Sequence, residues 1–171
     1  MTKMTSAYAN KVLRKLNEDK DYWCAKEREG AVYIAALDEE PVIPDYNYSE
    51  VKTMIEEIDE KIVKIKHAVN LANLNSSVAV GDKMMTVDLI LIRMTQLNRR
   101  KHTLDSMRKE QPKTRIGAVS YSARKTAPEY RFINYDLDEV KADYERIDKE
   151  IAEMQIALDK YNQTFEFEVD I

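Results

Sequence analysis

Glycine and proline are scarce, with three Gly and four Pro in 171 residues. A chain so poor in turn-formers does not build the many tight turns of a sandwich or barrel, and it lacks the composition of a disordered chain. The single cysteine, Cys24, excludes an internal disulfide framework and suits a reducing compartment, so a cytoplasmic location is expected. No apolar run reaches the roughly 18 residues of a membrane-spanning helix. Lys3 is followed by no apolar stretch, so no secretory signal is expected. The chain has no glycine-rich phosphate loop, no HExxH and no G-x-S-x-G, and only two histidines.

What the chain does have is helical rhythm. Leu137, Val140, Tyr144, Ile147, Ile151, Met154, Leu158 and Tyr161 follow at alternating steps of three and four, which places them on one stripe of a long helix. Val51, Ile55, Ile58, Ile62, Ile65, Val69 and Ala72 form a second such seam. Neither stripe can be hidden alone. The expected fold is therefore mainly α: about four long antiparallel helices with coiled-coil-like packing, plus short hairpins and a C-terminal strand. At 171 residues, one domain covering 1–171 is expected.

Along the chain, a first helix is expected from Ser6 to about Glu29, with Tyr8, Val12, Leu16 and Trp23 among its apolar positions. Gly30 either ends it or interrupts a helix continuing through Ala31–Leu37. Pro41 and Pro44 make 38–48 an extended linker. Ser49 is a plausible N-cap for a second helix reaching about Asn73. Residues 76–85, with Gly81-Asp82 at the centre, read as a β-hairpin. Thr86 can cap a third helix, with Val87, Ile90, Met94, Leu97, Leu104 and Met107 inward. Its start, Val87–Ile92, is almost wholly apolar and expected to be buried on most sides. Residues 112–135 read as an extended arm or hairpin, with alternation at Val119 and Tyr121 and again at Tyr130 and Phe132, around a mobile tip at 123–127. Asp136 and Glu139 open the fourth helix in an acidic analogue of the capping box. Phe165, Phe167 and Val169 read as a terminal strand needing a partner, in this chain or a neighbouring one.

The net charge of −4 conceals a partition. Residues 93–131 hold 11 Lys or Arg against 3 Asp or Glu, whereas 136–171 hold 4 against 12. The basic stretch reads first as facing acidic helix surfaces, within a subunit or between subunits, and second as an anion site.

Catalytic constellations are not evident. His67, between Ile65 and Val69, reads as a satisfied histidine of the bundle, and His102, after Arg99-Arg100-Lys101, as solvated or anion-facing. Cys24 beside Trp23 reads as a small buried hydrophobe. Glu145, Asp148 and Glu150 suggest a di-metal bundle, but neither histidine has a Glu three residues before it, so no metal is expected. Two polar sets stand out. Asn70 and Asn73 end the second helix while Asp88 and Arg93 begin the third; amides read hydrogen-bonding edges and Arg takes a phosphate or carboxylate. The competing reading is that the Asn pair caps the helix, Asp88 serves the dipole, and Arg93 pairs with an acid such as Asp88. The second set is Arg99, Arg100, His102, Arg124 and Lys125 with Tyr121 and Tyr130, where rings interleaved with cations can stack a nucleotide base. It competes with an intersubunit arm facing the acidic helix. Net negative charge and the lack of a recognition motif disfavour a DNA duplex.

Val69-Asn70-x-x-Asn73, Gly81, Asp88-x4-Arg93-x3-Leu97, Ser120 and Ser122, the Asp136-led helix and Asn162-x-Thr164 resemble, in order, an uncharacterised bacterial family of which some members are labelled septicolysin. The resemblance spans about two thirds of the chain. It implies a bundle of long helices and ring-like oligomers. Met94 stands where an acidic residue commonly follows the arginine, and 115–135 is longer than the family pattern.

The reading that results is a non-catalytic homo-oligomer, a dimer at least and a ring at most, holding a small anionic, nucleotide-like ligand without a cofactor. Two seams and an unpaired apolar terminal strand motivate the oligomer. The alternatives are a structural or adaptor oligomer without ligand and, last, a pore-forming protein. An enzyme acting through Asp88 and Arg93 has no reaction attached to it.

Overall fold

The structure, a computed structural model, describes residues 1–116 and 129–171. Among these residues four helices succeed one another: α1 (Ser6–Gly30), α2 (Tyr48–Asn75), α3 (Val87–Arg108) and α4 (Leu137–Thr164). Six short strands among the described residues pair two by two: β1 (Thr2–Thr5) with β6 (Glu166–Val169), β2 (Ser77–Val80) with β3 (Lys83–Thr86), and β4 (Lys113–Arg115) with β5 (Tyr130–Phe132). The chain is mainly α, as the two seams demand. It divides into two compact units, Met1–Val78 with Thr86–Asp88 and Leu158–Ile171, and Ala79–Met85 with Leu89–Ala157.

In the first unit α1 lies antiparallel to α2. The Lys20 ammonium grips both carboxylate oxygens of Asp59, at 2.6 and 2.8 Å, and nearer the start of α1 Ala9 shares a core with Ile65. That core is Met4, Ala9, Ile65 and Val169, flanked by Val12, Leu16, Val69 and Phe167. The second seam is buried or half-buried along its whole length, because its 3–4 spacing keeps it on one side of α2. α1 starts where the Thr5 hydroxyl accepts the Tyr8 amide at 3.2 Å. α2 starts two residues earlier than a Ser49 cap would place it: Asn47 Oδ1 accepts from the Ser49 and Glu50 amides, at 3.0 and 3.3 Å. Asn is at least as good a cap as Ser, and it stands two residues upstream.

Several expectations fail for reasons of angle. Each helical residue turns about 100°. His67, two residues beyond the seam's Ile65, therefore faces outward and is exposed rather than held within a bundle. Tyr8 is likewise exposed, and its neighbour Ala9 is the buried residue. Cys24 is free and half-buried. The terminal strand finds its partner in this chain, in a β1 that the sequence reading missed: Thr2 pairs with Val169 and Met4 with Phe167. That removes the unpaired strand as a reason for self-association. Phe165 falls before the strand and stacks on Tyr161, ring centroids 4.9 Å apart.

Gly30 does end α1, and residues 31–47 form neither helix nor strand. Its lack of a side chain is required: a Cβ there would lie 2.6 Å from Tyr46 Cβ. Gly30→Ala is expected to cost about 1–3 kcal/mol of stability, as overpacking does, measured by urea unfolding. Beyond Gly30 the chain is unusually bare. Ile34 is 102% exposed, Leu37 109% and Val42 89%.

In the second unit α3 and α4 run antiparallel. Val140, Ile147 and Met154 of the α4 seam are buried there, opposed to an α3 stripe in which Ile90, Leu97 and Leu104 are buried. Asp136 Oδ1 caps α4, accepting from the Asp138 amide at 2.8 Å and the Glu139 amide at 3.1 Å. The Gly81-Asp82 turn between β2 and β3 is as expected, with Gly81 at φ 55°, a conformation that glycine adopts without strain. The start of α3 is not buried on most sides. Val87 and Ile90 are, but Leu89 and Ile92 remain 52% and 55% exposed. The apolar run there is wider than one buried stripe, so it leaves a second, outward face.

Candidate functional site

Charge in the second unit is arranged by helix pairing. Arg93 Nε donates to Glu150 Oε1 at 3.0 Å, and Lys101 pairs with Asp148. The Arg108 guanidinium lies 4.0 Å from the centroid of the Tyr144 ring. Part of the basic stretch therefore faces the acidic helix within the same subunit. Arg93 takes Glu150 rather than Asp88, whose Oδ1 instead accepts the Thr86 hydroxyl. At 44% and 29% side-chain exposure, the Arg93–Glu150 pair contributes at most about 1 kcal/mol.

Asp105 is held between Arg108, the last residue of α3, and Lys109 just beyond it. Its carboxyl lies below the ordinary carboxylate range, first through the Lys109 hydrogen bond and then through that from Arg108. A depressed carboxyl adds stability above its ordinary value, and this is lost as pH falls through the lower, folded value. Lys109→Ala is therefore expected to move the Asp105 titration upward, read by NMR of the carboxyl carbon.

The first polar set is dispersed in its roles. Asn70 is exposed. Asn73 lies inside α2, whose C-cap is Ser76, so neither asparagine is the cap. Asn73 Oδ1 is buried with no hydrogen-bond partner among the described residues, as are Ser6 Oγ and Tyr161 Oη. All three belong to the first unit, near the start of α1, the end of α2 and the end of α4.

Of the second set, Tyr121, Arg124 and Lys125 lie outside the described residues, as do Val119, Ser120, Ser122 and the expected tip at 123–127. Arg99, Arg100 and His102 are exposed on α3, and neither arginine is paired with an acid among the described residues. Tyr130 belongs to a face that the sequence reading saw only in part. Lys113 opposes Phe132 and Arg115 opposes Tyr130 across the β4–β5 ladder. Alternation puts all four on one side, while Thr114 and Arg131 point to the other. Arg131 there pairs with Glu110. The Lys113 ammonium sits 4.2 Å from the Tyr130 ring centroid and 5.5 Å from that of Phe132. The base of the hairpin is fixed by the Tyr135 hydroxyl, which donates to the Met107 carbonyl at 2.8 Å. Lys113 was missed because its strand is only three residues long and directly follows Pro112; the K-x-R and Y-x-F alternations are the signal that would have paired the two strands.

This face joins two cations to two exposed rings, which suits a planar anionic molecule: the rings stack and the cations neutralise. A shallow depression on α2, lined by Glu56, Asp59, Glu60, Val63 and Lys64, has the wrong sign for such a ligand. Among the described residues, no group of three or more His, Cys, Asp or Glu is placed to hold a metal ion, and no helix is long and apolar enough to cross a membrane. No protein-family model, no curated protein and no solved structure matches the chain.

Proposed function

We propose that this mainly α protein is a non-catalytic homo-oligomer that binds a small anionic, nucleotide-like molecule. The observation that carries the ligand is the hairpin face bearing Lys113, Arg115, Tyr130 and Phe132. The resemblance to the septicolysin-labelled family belongs to this reading and adds the expectation of a ring. Calorimetry against mono-, di- and cyclic nucleotides tests it. Binding is expected in the micromolar range, with Tyr130→Ala weakening it about 5–150-fold, the 1–3 kcal/mol of a lost base stack. No heat from any member at high protein concentration would defeat the ligand.

A second reading, an adaptor oligomer without small ligand, is favoured by Arg93 and Lys101, whose charges are spent on α4. Native mass spectrometry of protein taken from cells separates the two: mass beyond the polypeptide favours ligand binding, a clean oligomer the adaptor.

A further inference from the structure

We infer that residues 31–43 form an arm that docks on the outward face of α3 in a second copy of this chain. The inference rests on the homo-oligomer reading above and deepens it by naming the surface.

The arm cannot remain in water at little cost. Val32, Ile34, Leu37 and Val42 are 78–109% exposed, and Tyr33 and Ile43 more than half exposed. Six large apolar side chains in so short a stretch present an area on the order of the 800 Å² that each partner of a stable interface buries. Residues 31–43 form no helix or strand that would hide them, and Pro41 and Pro44 disfavour helix over the last part of the segment.

The receiving face is chosen by chemistry. Leu89, Ile92, Gln96 and Arg99 recur at steps of three, four and three, so they share one stripe of α3. The stripe is apolar at its N-terminal end, where Leu89 and Ile92 are about half exposed, and cationic at Arg99 with Arg100 beside it. The arm repeats this order with opposite charge: the run Val32–Leu37 is followed by Asp38, Glu39 and Glu40, all exposed. Along α3, Ile92 and Arg99 are separated by about 10 Å. Opening the turn at Leu37–Glu39, where the Glu39 amide donates to the Ala36 carbonyl at 3.5 Å, lets Glu40 reach about 10 Å from Leu37. Apolar contacts and ion pairs can therefore form in one register. Three adjacent acids also argue against an anionic membrane as the arm's partner, since like charges repel.

Sedimentation equilibrium tests this with the full chain. Ile34→Asp with Leu37→Asp changes only exposed residues, so the fold is expected to survive, as circular dichroism would verify. The dissociation constant of the oligomer is expected to rise at least tenfold. Glu39→Lys with Glu40→Lys should weaken association, and adding Arg99→Glu with Arg100→Glu should restore part of it. On a Cys24→Ser background, chains carrying Leu37→Cys mixed with chains carrying Ile92→Cys should oxidise to a disulfide-linked pair. A wild-type monomer would overturn the homo-oligomer reading and the arm with it. An oligomer whose dissociation constant ignores the aspartates, or a disulfide that forms only when both cysteines are in one chain, would overturn the arm and leave the reading standing.

Discussion

Leu104→Ala is expected to lower the stability of the second unit by about 2–5 kcal/mol, the range for emptying a packed leucine site. Leu104 is fully buried on the inner stripe of α3, opposed to the α4 seam. The loss combines the transfer free energy of the missing carbons with the cavity left between two packed helices that relax only in part. Ile156 on α4 is the control: it is 70% exposed, and Ile156→Ala should change stability by no more than about 0.5 kcal/mol. Urea unfolding followed by circular dichroism reads both. Equal effects would mean that the inner stripe has been assigned to the wrong side of these helices.

Ile65→Asp is expected to have a larger effect. Ile65 is fully buried among Met4, Ala9 and Val169, none of which can bond to a carboxyl group. An ionised carboxylate there has neither water nor a cation, and its burial costs more than a domain's usual stability of about 5–15 kcal/mol can absorb; protonation relieves only part of this. The first unit should unfold at neutral pH, shown by collapse of amide dispersion in NMR spectra. Ile65→Val, which keeps the chemistry, should cost only about 0.5–1.5 kcal/mol. A folded first unit in the Asp variant would contradict the core described for it.

Regular spacing made the helices legible. Every residue of both seams is buried or half-buried, because a 3–4 repeat on a helix has one geometric solution. The Gly81-Asp82 turn and the Asp136 cap were readable for the same reason: each uses a residue type that local backbone geometry demands. Pairing between distant segments was not readable. β1 is four residues of mixed polarity, and only its register against β6 buries Met4. Lys113 enters the candidate site through a three-residue strand whose partner is distant in sequence. Arg93 could have paired with any acid in reach; Asp88 is nearer in sequence, but the antiparallel α3–α4 packing presents Glu150. The width of the apolar run at the start of α3 is visible in the sequence, but which part of it is covered is not: Leu89, Leu91 and Ile92 face outward.

Self-association is the claim on which the functional reading depends, and the mass of the native particle measures it directly. Light scattering after size exclusion at micromolar concentration should give a multiple of the 20.0 kDa chain, two or more. A stable 20.0 kDa species across that range would contradict the account, leaving the bare stretch from Val32 to Ile43 without a purpose.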